Sequence, residues 1–388
     1  MIAPQWLHRL LPLPKARVDA VAAGLLAEQV AALESEVSDF VALGKTVGAV
    51  LLISRNGELA SSRAFGWQDR EARIPMRKDS IFRLLSMTKS VTCAALMCLV
   101  DEGKVSVEDA VERYLPELTG VRFADGSKPS ANPKLWQLMA HSAGLVDAFS
   151  TEFLNTDFAL SDLARFAART PLGYEPGTGW AYSNGGFALL GRIVEQVSGM
   201  EYDRFVQRKI LDPVGMASSY FHVPKAEQRR LATIYRIAEG VVSREPDDPL
   251  NRDLRYSSPV NGLHTTAMDL WRFYEMIRGG GKAQGARVLS EASARAMVTV
   301  QTADRNAGFL PGMGYGYGLS LVTTPNGIFR NHAKGTFGHG SYYQTHGWVD
   351  PVKGITGILF CQNRADSMVV TDEVAKFVTL LGALEPSN

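Results

Sequence analysis

Ser86-Met87-Thr88-Lys89 sets a hydroxyl and an amine three residues apart, a spacing that a helix turns onto one face. A neutral lysine beside a serine can take its proton, so the pair is a candidate activated nucleophile. No second Ser-x-x-Lys occurs in the chain. The run that follows, Ser90 to Val100, is apolar nearly all round, as expected of a buried helix, and Gly103 is a natural stop. Ser86 would sit in the first turn, where free backbone N–H groups and the helix dipole favour a developing anion. Lys89 would point inward with little water, and burial disfavours its charged form. The plainer alternative is a surface serine and lysine on an ordinary helix.

Two further segments carry side chains of the right type. Glu175 to Ala181 is turn-forming and leads into Tyr182-Ser183-Asn184, after which Phe187, Leu190, Ile193, Val194 and Val197 recur at helical spacing. Tyr182 and Asn184 therefore belong to a loop just ahead of a helix. A tyrosine near a lysine can act as general base, and an asparagine amide can both donate to and accept from a substrate; alternatively Asn184 only caps the helix. Phe337-Gly338-His339-Gly340-Ser341-Tyr342-Tyr343 is the other segment. The strand is expected to follow it, from Ser341 on, and such an edge beside Ser86 could offer a backbone N–H to an oxyanion. Taken alone, the segment reads as a glycine-rich bend with His339 at the surface.

In this order the three segments resemble the penicillin-recognising serine hydrolases, the superfamily of class C β-lactamases, D-peptidases and family VIII carboxylesterases. Ser86-Met87-Thr88-Lys89 is similar to their Ser-x-x-Lys and Tyr182-Ser183-Asn184 to their Tyr-x-Asn. His339-Gly340-Ser341 falls where they carry Lys-Thr-Gly, His-x-Gly or Trp-x-Gly. The resemblance implies a β-lactamase/transpeptidase-like α/β (α+β) fold. It makes Ser86 the acylated nucleophile, with Lys89 and Tyr182 sharing the general-base work. The backbone N–H groups of Ser86 and Tyr342 would form the oxyanion hole, while Asn184, His339, Gly340 and Ser341 would line the substrate site. The C-terminal third has no Lys-Thr-Gly, and Ser341 stands where the family usually has glycine. Both departures favour a small or short-chain neutral ester over a β-lactam, hence a carboxylesterase, possibly one that also transfers acyl groups to alcohols. A β-lactamase or D-amino-acid peptidase is the alternative within the superfamily, and a non-turnover acylated sensor the alternative outside it.

The elements that must hold these residues follow from pattern. Val18, Val21, Leu25, Leu33, Val37 and Phe40 suggest an amphipathic N-terminal helix, and Arg55-Asn56-Gly57 a hairpin turn between Val47–Ile53 and Leu59–Phe65. Strands return at about 315–322 and 341–362, and a last helix fills about 370–382. The first strands would pair with the last in one antiparallel sheet flanked by helices. The expected organisation is one catalytic domain, with a sheet lobe from about 15–85 and 258–388 and a mostly helical lobe from about 86–257. His141 reads as a structural brace.

With 41 basic and 40 acidic residues the formal charge is +1, which gives no footprint for nucleic acid or an anionic membrane. No apolar run is long enough for a transmembrane helix, and Met1 to Lys15 lacks a signal-peptide core. With three cysteines at neither disulfide nor metal spacing, a cytoplasmic protein is expected. No Gly-x-Ser-x-Gly or His-Glu-x-x-His is present, so no α/β-hydrolase elbow and no zinc are expected, and no cofactor is required. The implied partner is a small-molecule ester; oligomeric state is not legible.

Overall fold

A computed structural model describes residues 18–146, 159–238, 240–245, 256–302, 307–364 and 370–387. Its centre is an antiparallel sheet of eight strands: β1 (Gly48–Arg55), β2 (Glu58–Asp69), β3 (Ile74–Pro75), β4 (Met313–Tyr315), β5 (Ser320–Val322), β6 (Phe337–Gly340), β7 (Thr345–Asp350) and β8 (Ile355–Cys361). Their order across the sheet is β4-β5-β6-β7-β8-β1-β2-β3. The first and last long strands meet at its middle, with Leu51 opposite Leu359.

The two faces of the sheet are separately apolar. Along β1, Val50 and Leu52 join one core, while Ala49, Leu51 and Ile53 join another; side chains alternate across a strand, so a strand buried on both faces reads as a continuous apolar run. Two helices, α1 (Ala27–Ala42) and α5 (Asp372–Gly382), cover the second face through Leu33, Val37, Phe40, Phe377 and Leu381. Against the first face lie α2 (Thr88–Asp101) and α4 (Ala267–Arg278), and beyond them α3 (Asn184–Ser198). No helix among the described residues is long and apolar enough to cross a membrane.

Three local expectations are corrected. The N-terminal helix begins at Ala27, not near Val18; Val18 and Val21 are exposed, and Gly24 adopts φ +72° in the turn before the helix. The strand expected from Ser341 instead starts at Phe337, and residues 341–344 form the turn into β7, closed by Ser341 N–H to the Thr345 carbonyl (2.9 Å) and Gln344 N–H to the Ser341 carbonyl (2.9 Å). The expected strand at 315–322 is two strands joined by a turn. Glycine-rich segments carry little strand signal of their own, and here pairing with a neighbour makes the strand.

Candidate active site

Ser86 is the one residue between Leu84 and Leu99 that is not buried. It lies in a short 3-10 turn, Leu85–Met87, that runs directly into α2, and so precedes the helix rather than occupying its first turn. Leu85 holds φ +47°, a left-handed conformation that typically costs a non-glycine residue about 1–3 kcal/mol. Packing offsets it: the Leu85 side chain is buried against Ile234 and Tyr343, with Tyr342 beside them. The turn after β6 is thereby fixed against the Ser86 turn.

A strap of backbone, Pro259 to Thr265, holds the start of α2 from the other side. Phe82–Arg83 pairs with His264–Thr265. Leu84 N–H donates to the Leu263 carbonyl (2.9 Å), Leu263 N–H to Thr88 Oγ1 (3.2 Å), and Thr92 Oγ1 to the Pro259 carbonyl (2.6 Å). Lys89, fully buried, donates from Nζ to the Val260 carbonyl at 3.3 Å. Its Nζ lies 4.7 Å from the Tyr182 ring centroid and 5.6 Å from that of Phe187.

Tyr182 and Asn184 sit where α3 begins. The helix is capped by Ser183, whose Oγ accepts from Gly186 N–H at 3.2 Å, so capping does not fall to Asn184, which is half-buried in the first turn. His141, itself at φ +58°, braces this loop. Its Nδ1 accepts from the Ser183 N–H at 2.9 Å, and its ring lies 4.3 Å from that of Tyr182. Accepting at Nδ1 leaves the proton on Nε2. Burial, then the nearby Lys89 charge, pushes its pKa well below the usual histidine value.

His339 is buried, contrary to the surface position expected for it alone. Nδ1 lies 2.5 Å from the Gly340 carbonyl and Nε2 lies 2.9 Å from the Tyr315 hydroxyl. A carbonyl only accepts, so Nδ1 carries the proton and Tyr315 donates to Nε2. Burial, followed by Lys89, lowers the His339 pKa to about 4; the imidazole is neutral at pH 7. Its ring stands 6.4 Å from that of Tyr182. Ser341 Oγ is engaged with Thr345 Oγ1 at 2.5 Å, which ties its extra hydroxyl into the turn. Gly340 faces the other way: a Cβ there would meet the His346 ring at 2.1 Å, so toward Lys89 it can offer only backbone.

The structure thus gathers Lys89, Tyr182 and His339 around one apolar point, with the Ser86 turn pressed against the turn that holds Ser341 and Tyr342. Sequence reading missed Tyr315, the Val260 carbonyl and Phe309. Phe309 is 41 % exposed and roofs the cleft, 5.0 Å from Tyr182 and 5.6 Å from Trp180 between ring centroids. The one mark of Tyr315 in the sequence is the alternation of Gly312, Gly314, Gly316 and Gly318 around it. Among the described residues no cluster of three or more His, Cys, Asp or Glu could hold a metal ion.

A family model described as Beta-lactamase matches residues 33–379. An uncharacterized protein of Mycobacterium tuberculosis is 31% identical over 371 residues, covering 87% of this chain and 90% of that protein. Esterase EstB of Burkholderia gladioli is 29% identical over 355 residues (84% and 88%), and penicillin-binding protein 4 of Amycolatopsis lactamdurans 27% identical over 338 residues (87% and 85%). Among solved structures, "EstCE1, a hydrolase with promiscuous acyltransferase activity" superposes with a TM-score of 0.78 at 23% identity, covering 92% of this chain and 98% of that one, which establishes a shared β-lactamase/transpeptidase fold. A model spanning most of the sequence, over a sheet and a serine–lysine helix of this kind, makes the chain a serine hydrolase belonging to the Beta-lactamase family.

Proposed function

We propose that the protein is a serine carboxylesterase acting on small neutral esters through an acyl-enzyme. The observation that carries this reading is the buried amine of Lys89, held between a carbonyl and the Tyr182 ring one helical turn beyond a half-buried serine. In the first step Ser86 Oγ attacks the ester carbonyl and its proton passes to Lys89 or Tyr182. The N–H groups of Ser86 and Tyr342 receive the oxyanion, a contribution typically of about 10²–10³ in rate for each such donor. The tetrahedral adduct collapses, the C–O bond to the alcohol breaks, and the same base returns the proton to the leaving oxygen. Water then repeats the sequence on the acyl-serine, and another alcohol in its place would give acyl transfer. Asn184 orients the substrate, and His339, Gly340 and Ser341 form the strand side of the site.

Neutral substrates fit because His339, in the position where relatives can carry a lysine, has its imidazole held uncharged. The similarity to esterase EstB supports the same reading. Three buried, unlinked cysteines accord with a cytoplasmic location. The test is a panel of p-nitrophenyl acetate and butyrate, a D-alanyl peptide and nitrocefin, with wild type and Ser86→Ala. Ester turnover should fall at least about 10³-fold in the variant, while its unfolding temperature is kept. Turnover of nitrocefin or the peptide well above that of every ester, or ester turnover unchanged in Ser86→Ala, overturns the proposal.

A further inference from the structure

A cavity of about 80 Å³ runs from the cleft, past the end of β6, to α5. Its inner wall is apolar: Met313, Phe329, Trp348, Val374 and Val378. No Asp, Glu, Lys or Arg side chain among the described residues lines it. Its mouth is formed by Phe309, His339, Ser341 and Tyr342, so it belongs to the same cleft as the Ser86 turn. The passage exists because the β5 ladder on β6 ends at Gly338, and Gly340 beyond it adds no side chain.

The chemistry of acylation sets one half of the ester at this mouth. The bond from Ser86 Oγ to the carbonyl carbon forms and the bond from that carbon to the alkoxy oxygen breaks. The proton taken from Ser86 passes through Lys89 or Tyr182 to the departing oxygen, which must therefore come within reach of Tyr182. Two residues of the mouth adjoin Tyr182: Phe309, at 5.0 Å between ring centroids, and His339, at 6.4 Å. A chain carried by the departing oxygen thus begins where the cavity opens. The volume corresponds to roughly three waters at ~30 Å³ each, room for roughly three to five carbons. With no counter-charge in the wall and His339 neutral at the mouth, an ionised group would bear its full desolvation cost on entry.

We propose that this cavity holds the alcohol half of the substrate, so that the preferred esters are those of uncharged aliphatic alcohols of about three to five carbons, with the chain against Met313, Phe329 and Val378. The inference rests on the acyl-enzyme reading and narrows its substrate class. An acceptor alcohol would enter by the same route. Its oxygen attacks the acyl-serine, the bond from Ser86 Oγ to the acyl carbon breaks, and the alcohol's proton passes through the same base to Ser86.

The experiment measures kcat/KM of the full chain for methyl, ethyl, propyl, butyl, hexyl and octyl butyrate, which share one acyl-enzyme. Carboxymethyl butyrate is the charged counterpart of the propyl ester. Each methylene up to butyl should raise kcat/KM about threefold to fourfold, with no further gain beyond about five carbons. The carboxymethyl ester should lie at least about tenfold below the propyl ester. At equal concentration, 1-butanol should capture the acyl group at least about tenfold more often than methanol. Val378→Phe, which fills the cavity, should bring the butyl-to-methyl ratio close to one, and Phe329→Leu, which enlarges it, should move the optimum to a longer alcohol. Val374→Leu repeats the filling test with a smaller intrusion, should Val378→Phe fail to fold. Three results overturn this inference while hydrolysis still depends on Ser86, and so leave the esterase reading standing: equal kcat/KM along the wild-type series with equal capture by the two alcohols, an unchanged ratio in the folded filling variant, or a filling variant that alters the dependence on acyl length instead. Ester turnover that survives Ser86→Ala sinks both.

Discussion

The β6–β7 pair carries a buried histidine on each face, and the two live under different rules. His339 stands opposite Gly347 and His346 opposite Gly340. Each ring is neutral at pH 7, because burial lowers the pKa to about 4 for the first and about 3 for the second. On the Lys89 face both His339 nitrogens are engaged, which fixes its tautomer and ring plane. On the α5 face His346 Nδ1 has no partner among the described residues. A fully satisfied polar network specifies one geometry, which chemistry needs; a nitrogen without a partner fixes no geometry and tolerates replacement. The same two strands thus offer a rigid face and an adaptable one.

The sharpest way to break this contrast is at Lys89. Lys89→Met should lower ester turnover about 10³-fold or more while the fold survives, since α2 is apolar around it; variant turnover above a tenth of wild type would remove the lysine from the chemistry. A matched pair comes next. His339→Phe leaves the buried Tyr315 hydroxyl without its acceptor and should cost about 1–3 kcal/mol, with turnover down roughly 10–10²-fold. His346→Phe forfeits no hydrogen bond at Nδ1 and should keep turnover, with stability within about 1 kcal/mol. Equal losses in the two would erase the distinction between the faces. The gentlest test is acid. Unfolded histidines take up protons near pH 6.5 while these two stay neutral down to about 4 and about 3. Their contribution is therefore complete above pH 6.5 and declines as pH falls from there toward 4, by roughly 1 kcal/mol per pH unit for each ring. Urea midpoints at pH 7 and 5 measure it, and each Phe variant should flatten the slope; a midpoint indifferent to pH contradicts the burial argument.

How far the sequence reaches can be judged residue by residue. Ser86 and Lys89 were legible because their spacing is local and their helix is apolar on every side. Asn56-Gly57 announced its hairpin, since both residues take positive φ in the turn between β1 and β2. β6 was misread because Phe337-Gly338-His339-Gly340 has no β-branched residue, and only pairing with β5 and β7 makes it extended. The burial of His339 is likewise tertiary: it depends on Tyr315 and Lys89, distant in sequence. Ser183 took the cap from Asn184, a shift of one residue that loop geometry decides. The Val260 carbonyl carries no side-chain signature, so no reading of residue types could have found it.

Because Ala49 faces Cys361 across the middle of the sheet, strands roughly 300 residues apart must find each other before the molecule is whole. During synthesis β1 and β2 emerge first and must wait, one long hydrogen-bonding edge unprotected, until almost the entire polypeptide has left the ribosome. The Ser86 turn gains its support from Tyr342 and Tyr343 only in that last interval, so a nascent or C-terminally clipped chain would be inert as well as prone to aggregate.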